Sequence, residues 1–385
     1  MNIDLRRWGV DRLSHFTLRL IADGVTTREA FKRWRGDESN TRDMADLFGY
    51  EQKPGIPPIT VLVGVDFHDD LGLVKYNYTG VAHNTLHAFP EGWTPTLRLC
   101  RGIVFDREGR LVAHAFPKFF NRGEHPETMT LPRDRSWTAT EKLDGHLGIV
   151  FSCQRNWHAT TRGSFDSPSS KLCADIMIRE HLRRKWQATV APDITPLVEI
   201  IDPATKVHID YEGKSGLVLI GAYNRVTLED FPHDRLVKLG HQLGIPVTER
   251  YAGEDLDALE ALMDDLSVRG REGVVVRFDD GLRVKLKFAS YINLMVEAKL
   301  SPKYLMQRIM SGNAERMIKN LDYEVLARAN EMLGRIMRAQ LMPGDAKAKA
   351  RYLHGLVPPE ECTAYYRTVC REFVRSLARA SDDKR

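Results

Sequence analysis

The chain has 385 residues, 56 Lys+Arg against 52 Asp+Glu for a net charge of +4, and 43% apolar side chains. That length predicts two or three domains of about 150 residues each, and the apolar content excludes wholesale disorder, a collagen-like repeat and a disulfide scaffold. A charge of +4 is by itself too small to indicate a nucleic-acid partner.

Residues 1 to about 50 are charged, with helix-like spacing at Phe16, Leu20, Phe31 and Trp34. Lys53-Pro-Gly-Ile-Pro-Pro58 reads as a linker, because Pro and Gly interrupt regular elements. From there to about residue 290 short β-type runs dominate: Ile59–Val65, Gly102–Phe105, Leu147–Phe151, Leu197–Ile201, Leu217–Ala222 and Gly273–Phe278. One helix is expected from about Ser169 to Trp186, with others near 231–243 and 254–266. Strands and helices without regular alternation predict an α+β fold. After about residue 300 the apolar spacing turns helical, at Val325, Leu326, Met332, Leu333, Ile336, Met337 and Leu341, then at Tyr366, Val369, Cys370, Phe373 and Leu377. Pro358-Pro-Glu-Glu361 is the expected start of the last helix. No C-x-x-C pair occurs among the five cysteines, and neither a signal peptide nor a run of eighteen apolar residues is present, so a soluble, cytoplasmic protein with no membrane partner is expected.

Five groups could carry chemistry. Glu141-Lys142-Leu-Asp144-Gly145 opens an apolar strand, and a lysine beside an acid and a glycine turn suits an amine nucleophile close to a phosphate, although an ordinary solvated turn reads the same way. Glu272-Gly-Val-Val-Val-Arg-Phe278 and Leu282–Phe288 surround Asp279-Asp-Gly281 and predict a hairpin. In its second strand Arg283, Lys285 and Lys287 share one face, a polyphosphate site or a solvated cationic surface, and Glu272 could hold Mg²⁺ there. Arg101-Gly102 is followed by Pro117-Lys118-Phe-Phe-Asn-Arg-Gly-Glu124, whose Phe pair reads as core. Thr161-Arg162-Gly163-Ser164-Phe165 is the fourth group. The fifth is Glu199, an acid inside an apolar strand that needs a polar site or a proton donor. His83 and His87, at helical spacing across a stretch unsuited to a helix, read as solvated loop residues. Trp137 and Trp157 beside the lysine strand, and Cys362 with Cys370 on one apolar helix face, read as packing residues.

In this order and spacing the five groups resemble the covalent nucleotidyltransferase superfamily of ATP-dependent ligases and mRNA capping enzymes. Within it they are most similar to RNA ligases of the bacteriophage T4 RNA ligase 1 type, whose ligase domain also resembles that of fungal tRNA ligase. The likeness spans about Tyr76 to Tyr291, with Tyr76-Asn77-Tyr78 resembling a tract ahead of Arg-Gly in the phage enzyme. It implies an adenylyltransferase domain of antiparallel sheets with flanking helices at 56–298, while the apolar spacing on either side predicts a mainly helical extension at 1–55, beyond what the phage enzyme carries there, and an all-helical domain at 299–385. It implies that Lys142 attacks the α-phosphate of ATP, that Glu272 orients a metal ion (Mg²⁺, with Mn²⁺ as an alternative), and that Lys285 and Lys287 contact the α-phosphate. By the same resemblance Arg101 and Lys118 grip the β- and γ-phosphates, Arg162 is the basic residue of motif Ia and Glu199 contacts the ribose. Glu141, Asp144, Gly145 and Tyr291 complete the nucleotide site. The phage-type serine after K-x-D-G is His146 here.

The implied reaction joins RNA 3′-hydroxyl and 5′-phosphate ends through lysyl-AMP and RNA-adenylate, with cleaved tRNA a candidate substrate and an end-healing enzyme a candidate partner. A lysine with a reference pKa of about 10.4 must lose its proton to attack, and the neighbouring cations would favour that loss. The rival readings are a DNA ligase or capping-type enzyme, which the helical tail disfavours, and a catalytically silent RNA-binding protein. Residues 291–385 hold 17 Lys+Arg against 11 Asp+Glu, leaving the rest at a net −2, so the tail is the expected source of phosphate contacts to RNA.

Overall fold

The computed structural model describes residues 4–86, 89–251, 255–318, 321, 323–359 and 362–382. The chain divides into two units, Met1–Phe288 and Ala289–Arg385.

In the first unit the strands run β1 (Val63–His68), β2 (Leu73–Tyr78), β3 (Arg101–Asp106), β4 (Leu111–Ala113), β5 (Phe120–Asn121), β6 (Trp137–Lys142) and β7 (His146–Cys153). They continue as β8 (Asn156–Thr161), β9 (Ile194–Ile201), β10 (Gly216–Asn224), β11 (Arg250–Tyr251), β12 (Gly273–Phe278) and β13 (Arg283–Lys287). Three sheets form, in the orders β1-β2-β3-β4, β10-β9-β7-β8 and β11-β6-β12-β13-β5. All pairings are antiparallel except the short one between β13 and β5. The fold is α+β, as the irregular mixture of runs predicts.

The N-terminal helices pack into the same apolar core as the first sheet. Helix Val10–Ala22 buries Val10, Leu13, Phe16, Thr17 and Leu20, the one-sided spacing of an amphipathic helix. Phe16 meets Trp34, Phe48 and Tyr76 at ring separations of 5.6, 5.9 and 5.8 Å. The Lys53–Pro58 stretch is a loop inside this unit, with Ile56 buried and the Tyr50 hydroxyl donating to the Pro57 carbonyl.

Several local readings change. The run expected as a strand over Ile59–Val65 begins as a short helix, Ile59–Leu62, after Pro58. The single helix expected to reach Trp186 is two, Pro168–Arg179 and Leu182–Thr189, broken where His181 takes φ 56°. Gly80–Thr85 is helical after all, because the Thr79 hydroxyl accepts the Ala82 N–H and so compensates for Gly80 and Asn84. His87 lies outside the described residues, as does Glu254 at the expected start of the helix that runs Leu256–Asp264.

The second unit contains the helices Ala289–Leu300, Pro302–Met310, Ala314–Ile318, Tyr323–Leu341, Ala346–His354 and Ala364–Asp382, and no strand among its described residues. The last helix begins later than Pro358-Pro359 suggested, with the Thr363 hydroxyl accepting the Tyr366 N–H; Glu360 and Glu361 lie outside the described residues. Cys370 is buried on that helix, whereas Cys362 precedes it and is half-buried, so the two do not share a helical face. Val325 and Ile336 are buried as their spacing predicts, and Leu341 is exposed at the end of its helix.

Candidate active site

One wall of the site follows from strand alternation. The register of β6, β12 and β13 makes three cross-strand rows: Thr138–Arg277–Arg283, Thr140–Val275–Lys285 and Lys142–Gly273–Lys287. Positions two apart share a face, and the opposite face places Ala139, Val274, Val276, Val284 and Leu286 in the core. Gly273 is required at its position, because a Cβ there would lie 2.0 Å from the Leu286 carbonyl oxygen. Gly145 is similarly constrained, its Cβ position being 2.5 Å from the Ile200 carbonyl oxygen.

This face borders a cavity of about 270 Å³. Its lining joins Lys142, Lys285, Arg101, Glu141, Gly145 and Glu199 to apolar groups that include Phe116, Phe119 and Phe231. Lys142 ends β6, and its Nζ lies 2.5 Å from Glu272 Oε1. Glu272 is buried, and burial raises its pKa against the pull of Lys142 and Lys287. Glu199 accepts the Gly145 N–H through Oε1 at 3.1 Å. Burial pushes its carboxyl up to about 8, opposed by Lys142 and reinforced by Glu272. The half-buried acid in β9 therefore has both things its position demands: a backbone donor and a cation nearby.

The cations crowd one another. Burial, then Lys118, holds the Lys285 amine well below the ordinary lysine range, with Glu124 opposing and Arg101 and Lys142 adding to the effect. Lys285 Nζ sits 4.8 Å from the centre of the Phe119 ring. Arg101 donates to the Phe116 carbonyl at 3.3 Å. The Arg162 guanidinium lies 4.5 Å from the centre of the Tyr78 ring, and Arg162, Lys118 and Arg101 together overcome burial to lower the Tyr78 pKa.

Other expected site residues are placed differently. Lys118 borders an adjoining cavity of about 260 Å³, and its Nζ is 3.0 Å from Glu124 Oε1 with both side chains buried. Glu124 is held at about 2; burial opposes this, and Lys118 and Lys285 override it. Asp144 turns toward the 208–211 loop, accepting the His208 and Ile209 N–H groups at 2.8 and 2.7 Å, while its own N–H donates to the Tyr211 hydroxyl. Glu141 is half-buried with its pKa raised by burial, and Arg271 is 3.8 Å away. Tyr291 is buried in the first helix of the second unit. Arg283, grouped by sequence with Lys285 and Lys287, is instead buried, with a terminal nitrogen 2.6 Å from Asp230 Oδ2 and its guanidinium facing Phe116. His146 has a buried Nδ1 without a hydrogen-bond partner among the described residues. Trp157 packs against Trp186 in the core.

Sequence reasoning missed Phe116, Phe231 and Leu236 on the apolar side, and Arg277 and Asp230 beside Arg283. Arg277 was signalled by alternation along β12, since it shares the parity of Val275 and Gly273. Nothing local announces Asp230, which meets the arginines across the fold. Among the described residues no group of three or more His, Cys, Asp or Glu side chains is arranged to hold a metal ion. Buried Glu272, close enough to raise the pKa of half-buried Glu199, still suits Mg²⁺, which commonly takes one or two carboxylates plus substrate phosphate oxygens.

A family profile described as RNA ligase, of the T4 RNA ligase 1 type, matches residues 99–293, just over half the chain. The chain belongs to that RNA ligase family. A protein of Thermovibrio ammonificans, whose name assigns it provisionally to the RNA ligases, is 29% identical over 176 residues, 44% of this chain and 45% of that protein. An RNA ligase mutant of Naegleria gruberi solved with ATP and Mn has TM-score 0.36 and 15% identity, over 43% of this chain and 52% of that one. An archaeal ATP-dependent RNA ligase has TM-score 0.39 and 17% identity over 73% and 75% of the two chains. The chain thus spans about half the length of the Thermovibrio and Naegleria proteins. No helix among the described residues is long and apolar enough to cross a membrane.

Proposed function

We propose that this chain is an ATP-dependent RNA ligase that works through lysyl-AMP at Lys142, in the cytoplasm. The observation that carries the reading is the Lys142–Glu272 contact at the edge of a cavity whose walls pair cations with aromatic rings. Such a cavity offers an apolar surface to a base and positive charge to a triphosphate.

In the first step the Lys142 Nζ lone pair attacks the α-phosphorus, the N–P bond forms, the bond to pyrophosphate breaks, and the amine loses a proton. Lys285 and Lys287 stabilise charge on the α-phosphate, and Arg101, Arg162 and Lys118 meet the leaving pyrophosphate. Glu199, protonated at neutral pH by its burial, can both donate to and accept from a ribose hydroxyl. Glu272, with substrate phosphate oxygens, would hold Mg²⁺ or Mn²⁺, which supplies charge neutralisation at the phosphate under attack. An RNA 5′-phosphate oxygen then attacks the same phosphorus and frees the lysine. Finally the 3′-hydroxyl oxygen attacks the activated 5′-phosphate and AMP leaves.

Incubation with α-labelled ATP and Mg²⁺ or Mn²⁺ should label the wild-type protein and leave Lys142→Ala unlabelled. An unlabelled wild type with both metals would overturn the reading and favour a silent RNA-binding protein. Comparing cleaved tRNA anticodon loops, linear single strands and nicked duplexes bearing 5′-phosphates then identifies the substrate, and addition of an end-healing enzyme tests that partnership.

A further inference from the structure

Lys75 on β2 has a fully buried side chain. An ammonium in the core is costly unless it is paired and hydrogen-bonded, so its partners indicate what it is for. Its Nζ donates to Thr160 Oγ1 at 2.8 Å and to the Thr161 carbonyl at 3.2 Å, and it lies 4.1 Å from the centre of the Phe165 ring. Asp66 on β1, 3.7 Å from the same ammonium, accepts the Phe165 N–H through Oδ2 at 2.9 Å. Arg28, from the helix Arg28–Trp34, donates to Asp66 Oδ1 at 2.7 Å and to Ser164 Oγ at 3.1 Å. Three side chains from the segment ahead of residue 99 thus grip both ends of one six-residue stretch, Thr160–Phe165. Arg162 stands in its middle.

β2 also supplies Tyr78, whose ring carries the Arg162 guanidinium. Gly102 lets β3 run close beneath, since a Cβ there would be 3.1 Å from Arg162 Cα. The loop is therefore held through its backbone at Thr161 and Phe165 and through the arginine side chain at Tyr78. The anchoring side chains Arg28, Asp66, Lys75 and Tyr78 all lie outside residues 99–293, where the family profile matches.

We propose that Arg28, Asp66 and Lys75 are positioning residues: they clamp the Thr160–Phe165 loop so that Arg162 stands beside Arg101, and thereby set the affinity of the adenylylation site for ATP. This rests on the reading of the Lys142 cavity as an adenylyl-transfer site. It gives the N-terminal segment a part in nucleotide binding that acts through Arg162.

The test is a double-mutant cycle on self-adenylylation, combining Lys75→Met, which keeps length and apolar bulk, with Arg162→Ala. Lys75→Met alone should raise the ATP concentration for half-maximal labelling about tenfold with a smaller change in maximal rate. In the Arg162→Ala background the same change should add less than about twofold, because its effect passes through the missing guanidinium. Penalties that multiply, or an ATP requirement unmoved by Lys75→Met, would overturn the proposal. Should Lys75→Met fail to fold, Arg28→Gln replaces it in the cycle, since Arg28 is half-exposed, with a shift of about threefold expected and the same loss of effect without Arg162. Amide hydrogen exchange separates this idea from the ligase reading. If the wild type never labels, faster exchange in Lys75→Met confined to residues 160–165 sustains the clamp, and unchanged exchange there overturns it.

Discussion

Nζ of Lys142 lies 2.5 Å from Oε1 of Glu272, and the carboxylate is the more buried partner, 6% exposed against 23% for the lysine side chain. The register that pairs Lys142 with Gly273 brings the acid preceding that glycine to the lysine. Glu272→Ala should lower lysyl-AMP formation by about a hundredfold or more, through loss of the group that would hold the metal beside the α-phosphate. The fold should survive, because the freed ammonium reaches water. Labelling with α-labelled ATP beside a circular-dichroism melt checks both halves, and retained labelling would remove Glu272 from the site.

The cations around Lys285 predict a proton-linked affinity for ATP. Burial, Lys118, Arg101 and Lys142 depress the Lys285 pKa in the free protein, with Glu124 opposing. A bound triphosphate adds negative charge and raises that pKa, so binding takes up protons and weakens as pH rises toward the ordinary lysine range. Calorimetry in buffers of different ionisation enthalpy reads the uptake directly. Lys285→Met should reduce it, and an unchanged uptake would assign the proton elsewhere.

Glu199 predicts a different pH effect. Its folded pKa, about 8, exceeds its reference value of 4.5, so between those pH values the folded protein holds the extra proton. Its contribution to stability is fully present below pH 4.5 and lost as pH rises through about 8. Glu199→Gln removes that contribution, by up to about 1.4 kcal/mol per pH unit across the window. Gln keeps an oxygen for the Gly145 N–H, so labelling at pH 7 should stay within about threefold of wild type, whereas Glu199→Ala loses the acceptor and most of the activity. Chemical denaturation at pH 5, 7 and 9 tests the slope.

Lys75 has the opposite sign. Burial depresses its pKa to about 7, opposed by Asp66 and helped by Arg28, so above that pH the unfolded chain binds the extra proton and stability rises with pH until the amine also deprotonates in the unfolded state. Lys75→Met should flatten the rise between pH 7 and 10 by up to about 1.4 kcal/mol per pH unit. An unaltered slope would mean that the amine stays charged throughout.

What could be read from the sequence was whatever depends on local periodicity. Val284, Leu286 and Phe288 alternate with Lys285 and Lys287, so the hairpin's second strand and its cationic face are visible in a short run of residues. Lys142 beside Asp144-Gly145 is visible for the same reason. The break at His181 was not, because a left-handed residue without glycine leaves no compositional trace. Arg283 looked like its neighbours until Asp230 reached it from another strand connection. The Arg28–Asp66–Lys75 cluster joins side chains from a helix and two strands to a loop about 90 residues further on, a relationship set by sheet packing. Resemblance to a ligase family supplied roles for motif residues but had nothing to say about those anchors.

The second unit offers the last prediction. On the helix Ala364–Asp382, Arg367, Arg371 and Arg375 recur every four residues and all are exposed, which places three like charges along one face. Like charges so arranged repel one another by a few tenths of a kcal/mol per pair unless an anion lies between them, and a nucleic-acid backbone is such an anion. Changing all three to Gln should leave self-adenylylation unaltered and weaken sealing of RNA ends. The slope of log affinity for RNA against log salt should fall by about 2, since each phosphate contact to a single strand contributes about 0.7. Equal loss of both activities would make the arginines structural, and an unchanged slope would place the RNA elsewhere.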